Sequence, residues 1–241
     1  MKICGKSGTE IKNRCIIDVC SREEIFMATT HTFSKKEEIA NAITHGIGAV
    51  LSIAALVLLI VFSSLHGSVW HIVSFTIYGV TMLLLYFSST MVHALPKGRA
   101  KDLFEVFDHS SIYLFIAGTY TPILFIVVQG ALGWTLFGIV WGIATIGIVF
   151  KFFFVKKFLF LSTVFYIAMG WLAIFAINPI VETLPSKGIA LLFIGGICYT
   201  IGTIFYVWRG FKYHHAIWHL FVLAGTITHF FLIILYVLPI S

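Results

Sequence analysis

The chain has 241 residues, of which 59% are hydrophobic and 11% charged, with a formal net charge of +6 and a mean hydropathy of +1.00. A soluble domain carries roughly 25% charged residues, so the composition excludes a soluble globular enzyme and defines an integral membrane protein. Excess positive charge in such a chain marks loop orientation rather than nucleic-acid binding, and apolar runs near the ~20 residues of a membrane helix exclude a barrel of short alternating strands.

Residues 1–32 are polar, mixed in charge and without the apolar core of a signal peptide. They read as a disordered cytoplasmic tail preceding one domain, 33–241. Met27 offers an alternative start, which would make 1–26 an upstream extension. Three of the four cysteines, Cys4, Cys15 and Cys20, lie in this tail, and Cys198 lies in an apolar run. Their spacing suggests no disulfide framework and gives only weak support to a zinc knot. Residues 33–42 predict an amphipathic lead-in helix with Ser34 as N-cap and Glu37 three residues on.

Seven spans follow, at about 43–65, 69–95, 108–129, 133–154, 158–177, 188–208 and 216–238. Pro96 stops the second, Pro122 kinks the third and Pro179 lies just past the fifth. Glycines and serines within them permit close helix approach. No internal repeat of the transporter kind is present. The expected fold is therefore all-α, a seven-transmembrane helix bundle.

Charge sets the orientation. Five tail cations, Lys35 and Lys36 precede the first span. Lys97, Arg99 and Lys101 separate the second and third spans; Lys151, Lys156 and Lys157 separate the fourth and fifth; Arg209 and Lys212 separate the sixth and seventh. Fifteen of the 16 Lys and Arg thus share one face, and Lys187 alone lies on the other. The positive-inside rule makes that face, with the N-terminus, cytoplasmic and the C-terminus extracytoplasmic.

Polar groups converge on the same face. His215 and His219 open the seventh span four residues apart, so they share a helical face. Ser89 and His93 do the same at the inner end of the second span, and Asp108 opens the third. Three neutral imidazoles with an open position are the pattern of a catalytic zinc site. His93, His215 and His219 are the candidate ligands. Asp108 would orient or deprotonate water at the metal, and Ser89 would hydrogen-bond that water or a substrate carbonyl. The same spacing also fits histidines bonded to backbone, water or lipid phosphate at headgroup depth. His45 lies at the same level; it could replace a ligand or support one from behind, and a helix–helix hydrogen bond is the expected role. His109 and His214 point elsewhere, His229 lies about 15 Å deeper at 1.5 Å per residue and reads as an interhelical bond, and His66 and His71 read as interfacial. No phosphate-binding loop or nucleophile elbow is present.

Over residues 37–240 the chain resembles the bacterial hemolysin III proteins, within the progestin and adipoQ receptor family that includes the adiponectin receptors. The carriers are Glu38-x2-Asn41-x2-Thr44-His45, Ser89-x3-His93, Asp108, Gly118-Thr119-Tyr120-Thr121-Pro122, and His215-x3-His219 followed by His229. The resemblance implies seven helices with a cytoplasmic N-terminus in a bacterial plasma membrane. It also implies Zn2+ on His93, His215 and His219, with Asp108 and Ser89 beside the water. Related families include ceramidases, so hydrolysis of a lipid amide or ester is the implied chemistry, with membrane lipid as partner and a fatty-acyl substrate. The long Cys-containing start departs from the bacterial pattern. The alternative is a non-enzymatic cytolytic pore or membrane-state sensor with a structural metal. A receptor for an extracellular protein is disfavoured by the short outer loops, 130–132 and 179–187.

Overall fold

A computed structural model describes residues 33–240; the expected tail, its cysteines and the alternative start lie outside the described residues. Among the described residues all regular structure is helical, and seven helices are long and apolar enough to cross a membrane. Helix α1 (Lys35–His66) forms the first span, α2 (Val69–Ala94) the second and α3 (Arg99–Pro122) the third, which continues as a π-helical stretch, Ile123–Val128. Helix α4 (Gly130–Phe154) is the fourth span. The fifth is built from α5 (Leu159–Gly170), a 3-10 segment (Trp171–Ala176) and α6 (Ile177–Thr183). Helix α7 (Ser186–Val207) is the sixth, and α8 (His214–Leu232), with a second π stretch at Ile233–Val237, is the seventh.

The lead-in helix and the first span are one continuous helix. Ser34 caps it through a capping box, its hydroxyl accepting from the Glu37 N–H while Glu37 Oε2 accepts from the Ser34 N–H at 3.0 Å. At 1.5 Å per residue its 32 residues run about 48 Å, well beyond a ~30 Å hydrocarbon core. Its opening turns therefore project past the apolar layer at the end of the bundle that carries the cationic linkers, here called the cationic end. Its buried face, Asn41, His45, Gly48, Ser52, Ala55, Leu59 and Ser63, recurs every three or four residues and is mostly small or polar. Such a stripe lets membrane helices approach closely. At Gly48 a Cβ would run into the Tyr86 ring, and at Gly118 it would run into Thr81. These contacts seat α2 between α1 and α3.

Three boundaries differ from expectation. The third span starts nine residues early, at Arg99, because Arg99–Phe107 is rich in good helix formers and needs no apolar face outside the membrane. After Pro122, which lacks an N–H, the helix widens, and the Gln129 N–H bonds the Leu124 carbonyl five residues back at 2.9 Å. Pro179 does not end the fifth span. It lies in the first turn of α6, where a backbone N–H would have no helical partner in any case.

The break in the fifth span has a visible cause. The Tyr120 hydroxyl donates to the Gly170 carbonyl at 2.7 Å and accepts from the Ala173 N–H at 2.8 Å. A side chain inserted into the backbone ladder bends a helix, and here it comes from α3. The second and third spans are the most enclosed, with 56% and 67% of their apolar windows buried against 22% for the first. The inward-facing side chains of α2 and α3 are thus held by packing against neighbouring helices.

Candidate metal centre

At the cationic end the structure brings His93, His215 and His219 together, with one ring nitrogen from each lying within 4.8 Å of the others. The ring centroids are 4.5 Å apart for His215 and His219, 5.1 Å for His93 and His215, and 5.3 Å for His93 and His219. The i, i+4 spacing on α8 supplies one pair, and His93, on the last turn of α2, completes the triangle. Tyr213, immediately before α8, adopts a left-handed φ of 64°, costly for a non-glycine residue. Its N–H donates to Glu37 Oε1 at 3.1 Å, which ties the start of α8 to the start of α1.

The hydrogen bonds fix which nitrogen faces inward. His93 Nδ1–H donates to Glu38 Oε2 at 2.6 Å, and its Nε2 is buried with no partner. The other oxygen of Glu38 accepts from Lys101 Nζ at 2.7 Å. Thr44 Oγ1 donates to the Ala40 and Asn41 carbonyls, so it meets His219 as an acceptor. His219 Nδ1–H therefore donates to Thr44 Oγ1 at 3.0 Å and to the Asn41 carbonyl at 3.2 Å. Both rings keep an Nε2 lone pair for a ligand, and outward Nδ1–H bonds to carboxylate or carbonyl are the usual support of a metal-binding histidine. The donor set fits a divalent cation that favours imidazole.

Phe33 lies over the cluster, 5.1 Å from the His215 ring and 5.8 Å from His93. His45 makes no hydrogen bond, contrary to expectation. It stacks on His219 at 3.4 Å and 13° and meets Tyr86 edge-on. Packing against the His219 ring takes the place of the anticipated polar contact. His71 lies in the first turn of α2, buried against the protein, and its Nδ1 accepts from the Ser68 N–H at 3.1 Å as a helix cap. His229 does make the expected interhelical bond, its Nε2–H donating to the Leu192 carbonyl at 3.1 Å.

The cluster heads a cavity of about 510 Å³, within the size range of small-molecule sites. Ser89 and Asp108 line it beside the histidines, and the Asp108 carboxylate neighbours both Ser89 and His93. His109 and His214 also line it; His109 Nδ1–H donates to the Glu105 carbonyl at 2.8 Å and stands 3.9 Å from Asp108 Oδ2. Toward the bilayer centre the wall becomes Ile116, Ile167, Gly170, Trp171, Gly196 and Val222, reaching His229. At Gly170 and Gly196 an added Cβ would meet open space. At the mouth Lys156, outside the spans, is held above the usual lysine range by its hydrogen bond to Asp102 and the charge of Glu105.

Glu38 and Thr44 are the residues whose roles the sequence left unstated. Their signal was positional: polar groups on the same turns of an otherwise lipid-exposed helix.

The fold and the site define a seven-span membrane protein with three clustered histidines at the head of an internal cavity. Residues 33–230 match the family described as Haemolysin-III related, and the chain belongs to it. It is 57% identical over 204 residues to a Hemolysin-3 homolog of Bacillus subtilis (strain 168), covering 85% of this chain and 96% of that one. It is 55% identical to Hemolysin-3 of Bacillus cereus, covering 85% and 93%. A more distant relative, 29% identical over 203 residues, is the human Monocyte to macrophage differentiation factor, with 82% and 83% covered. The protein is a multi-pass bacterial membrane protein.

Proposed function

We propose that the tri-histidine pocket holds a zinc ion and hydrolyses a lipid amide or ester whose acyl chain occupies the cavity. The observation that carries this is a single continuous space. Three clustered imidazoles, two of them with inward Nε2 lone pairs, stand at one end, and an apolar wall reaches His229, ten residues or about 15 Å deeper along α8. Bound zinc would supply Lewis-acid polarisation of a carbonyl and would bring the pKa of water toward ~7.

The chain's own residues do the rest. Asp108 takes a proton from water as the water oxygen adds to the carbonyl carbon, and Ser89 donates a hydrogen bond to the carbonyl oxygen. The C–N or C–O bond then breaks. The amine or alcohol leaves with the proton returned by Asp108, and the fatty acid is released. The cationic end is cytoplasmic in this reading, because 15 of the 16 Lys and Arg share that side.

The name Hemolysin-3 of the Bacillus cereus relative favours a second reading, a cytolytic pore. A pore needs polar or charged lining along its length, whereas the deep wall of this cavity is apolar apart from hydroxyls and His229.

The test uses the purified full chain in detergent. Zinc is counted per chain, and fluorogenic amide and ester lipids are offered to the wild type and to His219→Ala. About one zinc per chain, with turnover lost together with the metal in the variant, is expected. A metal-free wild type, or conductance steps in bilayers that persist after chelation without any hydrolysis, would overturn the proposal.

A further inference from the structure

Two histidines on different helices present the same hydrogen-bond polarity, and both are held by α1. His93 on α2 directs its Nδ1–H to Glu38 at 2.6 Å. His219 on α8 directs its Nδ1–H to Thr44 and the Asn41 carbonyl at 3.0 and 3.2 Å. A mere helix staple has no reason to select one ring nitrogen. His71 and His229 show the alternative, since His71 accepts on Nδ1 and His229 donates from Nε2.

The Glu38 carboxylate is itself held in orientation. Lys101 Nζ occupies its second oxygen at 2.7 Å, so the first remains directed at His93. One residue earlier, Glu37 holds the Tyr213 N–H at 3.1 Å, two residues before His215. Every ligand-bearing segment is thus bonded to residues 37–44 of α1, which itself carries none of the three ligands.

We infer that the opening turns of α1 form the tautomer frame of the histidine cluster, with Glu38 and Thr44 as positioning residues that keep the His93 and His219 Nε2 lone pairs turned into the pocket. This rests on the metal reading above and deepens it. A ring whose Nδ1–H is fixed by an acceptor cannot flip, and it binds metal through Nε2 with raised basicity.

The experiment separates this role from stapling. The full chain in detergent is stripped with chelator and titrated with Zn2+ against a competing indicator. A parallel titration with Co2+ reads the visible d–d bands. Glu38→Ala and Thr44→Val should weaken zinc binding by about 10–100-fold and alter the cobalt bands, with Thr44→Val at the low end because the Asn41 carbonyl still accepts. Glu38→Gln and Thr44→Ser keep an acceptor and should recover most of the affinity. Melting of the stripped variants should match the stripped wild type.

Wild-type zinc affinity and cobalt spectra in both the Ala and Val variants would overturn the inference while leaving the metal reading intact. A lowered melt of the stripped variants with unchanged affinity would also overturn it, making Glu38 a staple. A wild type that binds neither ion would remove the metal reading and this inference together.

Discussion

His71 and His93 stand on one helix, 22 residues or about six turns apart. Both are largely buried, at 4% and 9% exposure. Their environments nonetheless direct the ring protons in opposite ways. His71 accepts the Ser68 N–H on Nδ1 and so closes the first turn of α2. His93 donates from Nδ1 to a carboxylate and leaves Nε2 facing two other imidazoles. Residue type and burial are shared, so what separates a cap from a candidate ligand is the partner on the far side of the ring. The same contrast recurs on α8, where His219 meets a hydroxyl and a carbonyl through Nδ1 while His229 meets a carbonyl through Nε2.

The largest effect that could break this contrast is loss of metal. His93→Ala should reduce bound zinc from about one per chain to none and abolish lipid hydrolysis, whereas His71→Ala should leave the zinc content at the wild-type level. Elemental analysis of both purified proteins reads this directly. Next in size, Asp108→Asn should lower hydrolysis by about 10²–10⁴-fold, the range of a lost general acid–base, with zinc retained. A variant that loses metal instead would make Asp108 part of the ligand field.

Gly196→Leu fills the open space along the deep wall. It should lower kcat/KM for long-chain substrates by about 10–200-fold, the range of a methylene-scale pocket change, and spare short-chain ones. Equal loss for all chain lengths would mean that the chain lies elsewhere. The smallest effects belong to the non-ligand histidines. His71→Ala removes a capping acceptor at a cost of about 0.5–2 kcal/mol, and His229→Ala removes one hydrogen bond at about 1 kcal/mol. Both should be visible as modest shifts in the thermal melt, with metal content unchanged.

Much of this was legible in the residues because its causes are local. Apolar runs of spanning length gave seven helices, the Ser34/Glu37 box marked the start of α1, and His215-x3-His219 placed two imidazoles on one face. What stayed hidden depends on partners distant in the chain. Nothing near His45 announces that it will stack on His219, 174 positions away, instead of hydrogen-bonding. Glu38 and Thr44 stand in the motif that carries the family resemblance, but their spacing says nothing of His93 and His219, the partners they meet across the bundle. The early start of α3 escaped notice because hydropathy registers where a helix enters lipid and is blind to where the helix begins.

The fifth span also shows where a membrane protein can place a void. An uninterrupted helix would satisfy its own backbone and needs nothing from its neighbours. Here a phenol from another span substitutes for part of that ladder, and the residues at the interruption, Gly170 and Trp171, form the wall of the cavity. The chamber is therefore bounded by a segment that cannot keep its path alone. Replacing one oxygen atom, as in Tyr120→Phe, would strand a peptide donor and acceptor in hydrocarbon and press the segment to straighten into the space it encloses.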